Sequence, residues 1–214
     1  MSRTYSFLQR AHTTDRLCML ADGVYAIALT LLVLDLKVPD MPGVANPQLR
    51  DDLLSQTPNF IAYAIAFLVV AFFWINHHRL FVSIVRCDER ALWLNLGHLL
   101  FISLTPYVAS LIGHYEQDRI ATMVFSANLG LASLSLSALA RYLLAKEEWR
   151  ADTADGTWVA IHRWAFAAGP AIAVLSILVS FVSTNAALLL WPLVMVWHAV
   201  LFNRDGRRTG GEER

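Results

Sequence analysis

Seven polar residues of this chain sit where chemistry is unusual. Asp22, Trp74, Asn76, His77, His78, Asn95 and His98 lie within stretches that are otherwise almost wholly apolar. A carboxylate near histidines can relay protons or hold a cation in lipid. The same groups can instead hydrogen-bond between helices and lock a bundle together. On the residues alone both readings stay open. His77 and His78 are sequence neighbours, and neighbours on a helix point about 100° apart, so they do not chelate one ion together. The chain has no phosphate-binding glycine loop, no His-Glu-x-x-His pattern and no nucleophile elbow. No enzyme activity, cofactor or metal is therefore expected. Cys18 and Cys87 have neither metal nor redox-pair spacing, and are expected to be inert.

The elements that carry these residues follow from the charge spacing. The chain has 214 residues, 57% hydrophobic and 16% charged, with no net charge, and its mean hydropathy is +0.48. Asp, Glu, Lys and Arg are absent from 53–78, 91–115, 120–140 and 164–203. A bilayer core takes about 20 apolar residues per helix, so the last stretch can hold two spans. With the opening run, six spans are expected, near 17–36, 59–78, 91–113, 120–141, 162–182 and 185–203. Soluble bundles keep a polar face on each helix, and these runs have none. The chain reads as one all-α, multi-pass membrane domain over 1–214. The first 16 residues lack a secretory signal pattern, so the first span is read as part of the fold. Zero net charge gives no sign of a nucleic-acid partner.

Basic residues set the orientation. With six spans, 14 of the 17 Lys and Arg residues share the side of both termini, leaving Lys37, Arg50 and Arg119 opposite. The termini are therefore expected in the cytoplasm and the protein in the cell's inner (plasma) membrane. The linker 37–58, with Pro39, Pro42, Gly43 and Pro47, is expected to be loop with room for a short interfacial helix. Small residues in "SANLGLASLSLSALA" predict close helix packing in the fourth span. Pro106, Pro170 and Pro192 fall inside spans. In this topology the polar residues named above all come within ~10 Å of the cytoplasmic interface, and one shared network is expected.

On a helical wheel Ile27, Leu31, Leu34, Gly23 and Thr30 form one narrow stripe. Asp22 falls about 140° from Ile27. It should turn towards neighbouring helices, with Trp74, His77 or Asn95 as partners. Such a stripe is usually packing or lipid contact.

The segment from Arg16 through Asp22 into "GVYAIALTLLVLDLKVP" resembles the first-helix signature of prokaryotic members of the lysosomal potassium channel family, transmembrane protein 175. "FFWINHHRLF" and "LWLNLGHLLFISLTPY" are also similar to that family's second and third spans, so the resemblance covers most of 13–115. The signature's Phe and Ser are replaced here by Leu20 and Ala21, which removes part of the contact set that anchors the first helix. The resemblance implies a homotetramer with the first helices around a central, potassium-permeable pore. It maps the constriction to Ile27, with Leu31 and Leu34 as further rings and Thr30 as the adjacent hydroxyl. Arg16, Asp22, Trp74, His77 and Asn95 become the structural network behind it. No carbonyl filter loop is present. A proton-coupled carrier using Asp22, His77 and His98 and a non-transporting assembly protein are the competing expectations.

Overall fold

The computed structural model describes residues 2–38, 49–115, 117–151, 156–193 and 195, with side chains from Thr14 onward except in 156–167. The described residues are helical almost throughout. α1 spans Ser2–Leu31 and tightens into a 3₁₀ turn, Leu32–Asp35. α2 is Leu49–Ser55, α3 Thr57–Val82, α4 Glu89–His114 and α5 Arg119–Leu144. A 3₁₀ turn at Glu147–Trp149 precedes α6, Gly156–Val179, and α7 is Thr184–Leu193.

Among the described residues four helical segments are long and apolar enough to cross a membrane: Thr14–Asp35, Thr57–Val82, Glu89–His114 and Arg119–Leu144. They match the first four expected spans within a few residues. Two shorter apolar helices, Ala168–Val179 and Thr184–Leu193, stand where the last two were expected. Most of the second half of the sixth expected span lies outside the described residues, as do the C-terminal tail and the prolines at 39, 42 and 47. Within the linker expected over 37–58 the structure has one short helix among the described residues, α2.

Helix starts follow local chemistry. Pro58 occupies the first turn of α3, where its missing N–H costs nothing. The side chains of Asp88 and Asp118 cap α4 and α5, accepting from Ala91 N at 2.9 Å and Ala121 N at 3.0 Å. α1 begins well before the expected span. No glycine or proline precedes Gly23, so nothing stops the helix ahead of the apolar run.

α1 packs on α3 and α4, α4 packs on α5, and α5 packs on α6. The small residues of α5 do what close packing needs. A Cβ on Gly130 would lie 2.5 Å from the Cβ of Ala173, and one on Gly169 would collide with Ser133. Ser126 donates to Ser176 Oγ at 2.8 Å, and Ser176 donates to Ala187 O at 2.9 Å, tying α5, α6 and the start of α7 together. α4 and α6 both continue through their internal prolines, Pro106 and Pro170.

At the end of the bundle that holds the α3–α4 turn, Val85 N donates to Trp149 O at 2.8 Å and Ala151 N to Ser83 O at 2.9 Å. This short bridge clasps the α3–α4 turn to the segment after α5. Asp88 also accepts from Tyr142 Oη at 2.5 Å and Lys146 Nζ at 3.1 Å. Burial pushes its carboxyl up, but the bonds from Tyr142, Ala91 N and Lys146 outweigh this and hold it below its ordinary value. Burial raises the Cys87 thiol, in keeping with an inert role.

Candidate pore helix and its polar supports

α1 has two faces with different surroundings. Leu17, Ala21, Tyr25, Ala28 and Leu32 recur at helical spacing and are all buried. They form the stripe that α3 and α4 cover. The opposite arc holds Arg16, Gly23, Ile27, Thr30, Leu31 and Leu34, all exposed on the single chain. Ile27 is 60% exposed, Leu31 44% and Leu34 72%. The wheel assumed an α-helix as far as Leu34, and this needs correction. Through the 3₁₀ turn i and i+3 eclipse, so Leu34 stands over Leu31 rather than about 60° away. Gly23 leaves the helix unbroken, and a Cβ there would meet nothing within 4 Å.

Thr30 Oγ1 lies 3.0 Å from both Ala26 O and Ile27 O. Its proton is thus committed to the helix's own carbonyls, and its lone pairs are what it offers outward.

The expected single polar network is in fact two sets. Asp22 Oδ1 accepts from Trp74 Nε1 at 2.8 Å at an exposed edge of the α1–α3 contact. The Trp74 ring in turn stacks on His78, with centroids 5.5 Å apart. The second set is buried. His77 Nε2 donates to Asn95 Oδ1 at 2.8 Å, and Tyr25 Oη donates to His98 Nε2 at 2.6 Å. Ala132 O can only accept, so His98 Nδ1, 2.9 Å away, carries the proton. The His77 and His98 rings stack with centroids 6.0 Å apart.

Asp22 is kept out of this cluster by position. It lies at the margin of the exposed arc, whereas Tyr25, three residues on, faces inward and reaches His98 first. Asn76 turns back to Phe72 O of its own helix at 2.8 Å. Arg16 and Asp22 form no ion pair with each other among the described residues.

Tyr25 was not singled out in the sequence, although it is the one polar aromatic among the aliphatic residues of that run. A second missed set lies at the far end of the helix. Ser110 Oγ donates to Asp35 Oδ1 at 2.7 Å, and His114 Nδ1 lies 3.7 Å from the same oxygen. Asp35 thereby ties the end of the α1 segment to α4, much as Asp22 ties its beginning to α3.

Residues 16–106 match the family model of the endosomal/lysosomal potassium channel TMEM175. A potassium channel of Streptomyces collinus is 32% identical over 185 residues, covering 85% of both chains. This chain belongs to the TMEM175 family. Another TMEM175 relative, a potassium channel of Chamaesiphon minutus, is 30% identical over 173 residues, covering 79% of this chain and 85% of its own. The fold agrees as well. The crystal structure of a lysosomal potassium-selective TMEM175 homolog from Chamaesiphon minutus superposes with a TM-score of 0.76 at 26% identity. That match covers 88% of this chain and 97% of the other. The TMEM175 family is one of membrane-embedded ion channels, not enzymes. Among its vertebrate relatives are proton channels. The endosomal/lysosomal proton channel TMEM175 of Gallus gallus is 32% identical over 121 residues, which is only 24% of its length.

Proposed function

We propose that this protein is a passive, potassium-permeable cation channel of the plasma membrane, with both termini cytoplasmic. It assembles as a homotetramer in which the exposed arc of α1 lines a central pore. The observation that carries the reading is that arc itself. Among the described residues Ile27, Leu31 and Leu34 stay exposed, on a helix whose other face is buried against α3 and α4. A pore helix must look like this in a single subunit.

Ile27 side chains from the subunits narrow the path, and a narrow apolar ring dewets and stops ions. Widening it lets water and cations through. An ion crossing the ring sheds part of its hydration shell. Potassium holds water less tightly than sodium, so it crosses at lower cost. Thr30 oxygens, with their protons turned inward, can replace some of the lost water. Asp22 and Asp35 hold the two ends of the lining segment in register against α3 and α4.

The carrier reading finds less support. Asp22 is hydrogen-bonded to Trp74, while the buried histidines are bonded to Asn95, Tyr25 and Ala132 O. No hydrogen-bonded chain runs from Asp22 to His98 among the described residues. Proton permeation through the same pore is the second reading, favoured by the name of the vertebrate relatives.

The test is cation flux from proteoliposomes, wild type beside Ile27→Asn, with potassium, sodium or N-methylglucamine as the cation. Potassium-preferring flux that rises or loses selectivity in Ile27→Asn is the expected result. Folded, inserted protein that moves no cation in either form would overturn the channel reading.

A further inference from the structure

Two cavities meet at the end of the bundle that the charge bias assigns to the outside. One is an apolar groove of about 360 Å³ between α3 and α7, floored by Ile61, Ile65 and Leu188. The other is a polar hollow of about 580 Å³, between the start of α5 and the α6–α7 turn, lined by Arg119, Ser183 and Thr184. Gln117 and Asn185 belong to the walls of both, so the cavities adjoin. The groove runs from Thr57 to Ile65, about 12 Å along α3 at 1.5 Å per residue. One leaflet of the hydrocarbon core is about 15 Å deep. The length of its apolar floor thus matches most of one leaflet, with the polar hollow at one end.

The mouth carries a suitable charge. Arg119 is one of three basic residues on that side. Its guanidinium lies over the Phe181 ring, 5.1 Å from the centroid, which holds it at the rim. The carboxylate of Asp118, also on the wall, caps α5 by accepting from Ala121 N through Oδ1 at 3.0 Å. A guanidinium fixed above a channel of aliphatic side chains matches a molecule with a phosphate head and an acyl tail.

We infer that the adjoining cavities form a glycerophospholipid site, with the phosphodiester on Arg119 and one acyl chain in the α3–α7 groove. The site is independent of the pore, and binding is read without ion flux, so its failure is separate from failure of the channel reading. The shared walls also give the lipid a structural effect, since it bridges the first turn of α3 and the first turn of α7.

The experiment is native mass spectrometry of detergent-purified, delipidated protein titrated with three probes: phosphatidylglycerol, phosphatidylethanolamine and inorganic phosphate. Arg119→Ala removes the head contact and Ile61→Trp fills the groove from an exposed position, while Arg50→Ala serves as an outer-side control. Saturable phospholipid binding to wild type and Arg50→Ala is expected, weakened about tenfold in Arg119→Ala by loss of a charge-assisted contact and lost in Ile61→Trp. Unchanged helicity and elution volume certify each variant as folded. Preference between the two lipids then identifies the headgroup. Equal binding in all forms, inorganic phosphate binding as tightly as lipid, or no lipid binding to wild type would each overturn the proposal.

Discussion

Trp74 gives its indole N–H to Asp22 Oδ1 at 2.8 Å, and this bond joins the start of the lining segment of α1 to α3. The carboxylate is used here as an acceptor, which asparagine also provides. In Asp22→Asn potassium flux should stay within about threefold of wild type, since the amide oxygen keeps most of a bond worth about 1 kcal/mol. Flux abolished in folded Asp22→Asn would mean that ionisation of this group is needed, as a carrier requires.

Tyr25→Phe tests the buried set. The substitution keeps the ring and strands the buried His98 Nε2 lone pair. A loss of about 1–3 kcal/mol is expected for an unsatisfied buried acceptor, read as a lower unfolding midpoint in detergent. His98→Ala in the Tyr25→Phe background should then cost less than in wild type, because the partner is already gone.

Thr30→Val preserves shape and removes the outward lone pairs. If those oxygens stand in for water around a passing cation, potassium-over-sodium preference should fall by up to about tenfold, equivalent to ~1.4 kcal/mol, while flux persists. Reversal-potential measurements under bi-ionic conditions read this directly. An unchanged ratio would remove Thr30 from the selectivity argument.

The clasp at the α3–α4 turn predicts a pH window. The Asp88 carboxyl is held below its ordinary 3.8, so its contribution is present above that value and is lost as pH falls through the lower folded value. Lys146 is raised above its ordinary 10.5, first by its bond with Tyr142 and then by Asp88. Its contribution is full below 10.5 and is lost as pH rises through the higher folded value. Thermal stability attributable to the clasp should therefore be flat between about pH 4 and 10. Asp88→Ala should lower stability throughout that window by about 1 kcal/mol through loss of the α4 cap. A wild type and variant with the same midpoint at pH 7 would show that the cap contributes nothing.

Much of this architecture is legible in the sequence because lipid imposes a simple rule. Charge-free runs of about 20 residues read as membrane helices, so the second to fourth spans and the small-residue contact of α5 could be placed from composition alone, and the first from an apolar run that only Asp22 and Asp35 interrupt. The stripe of Ile27, Leu31 and Thr30 was legible too, because a helix fixes angles from residue number. Tertiary structure decided which polar groups meet. Asp22, His77, Asn95 and His98 share a depth, but depth does not choose partners. Tyr25 faces the histidines and Asp22 does not, a difference made by how α1 is rotated against α3 and α4. The Asp35–Ser110 bond, beside the 3₁₀ turn that moves Leu34 over Leu31, likewise joins segments 75 residues apart in sequence. Sequence sets the period of each helix, and only packing sets its rotation and its neighbours.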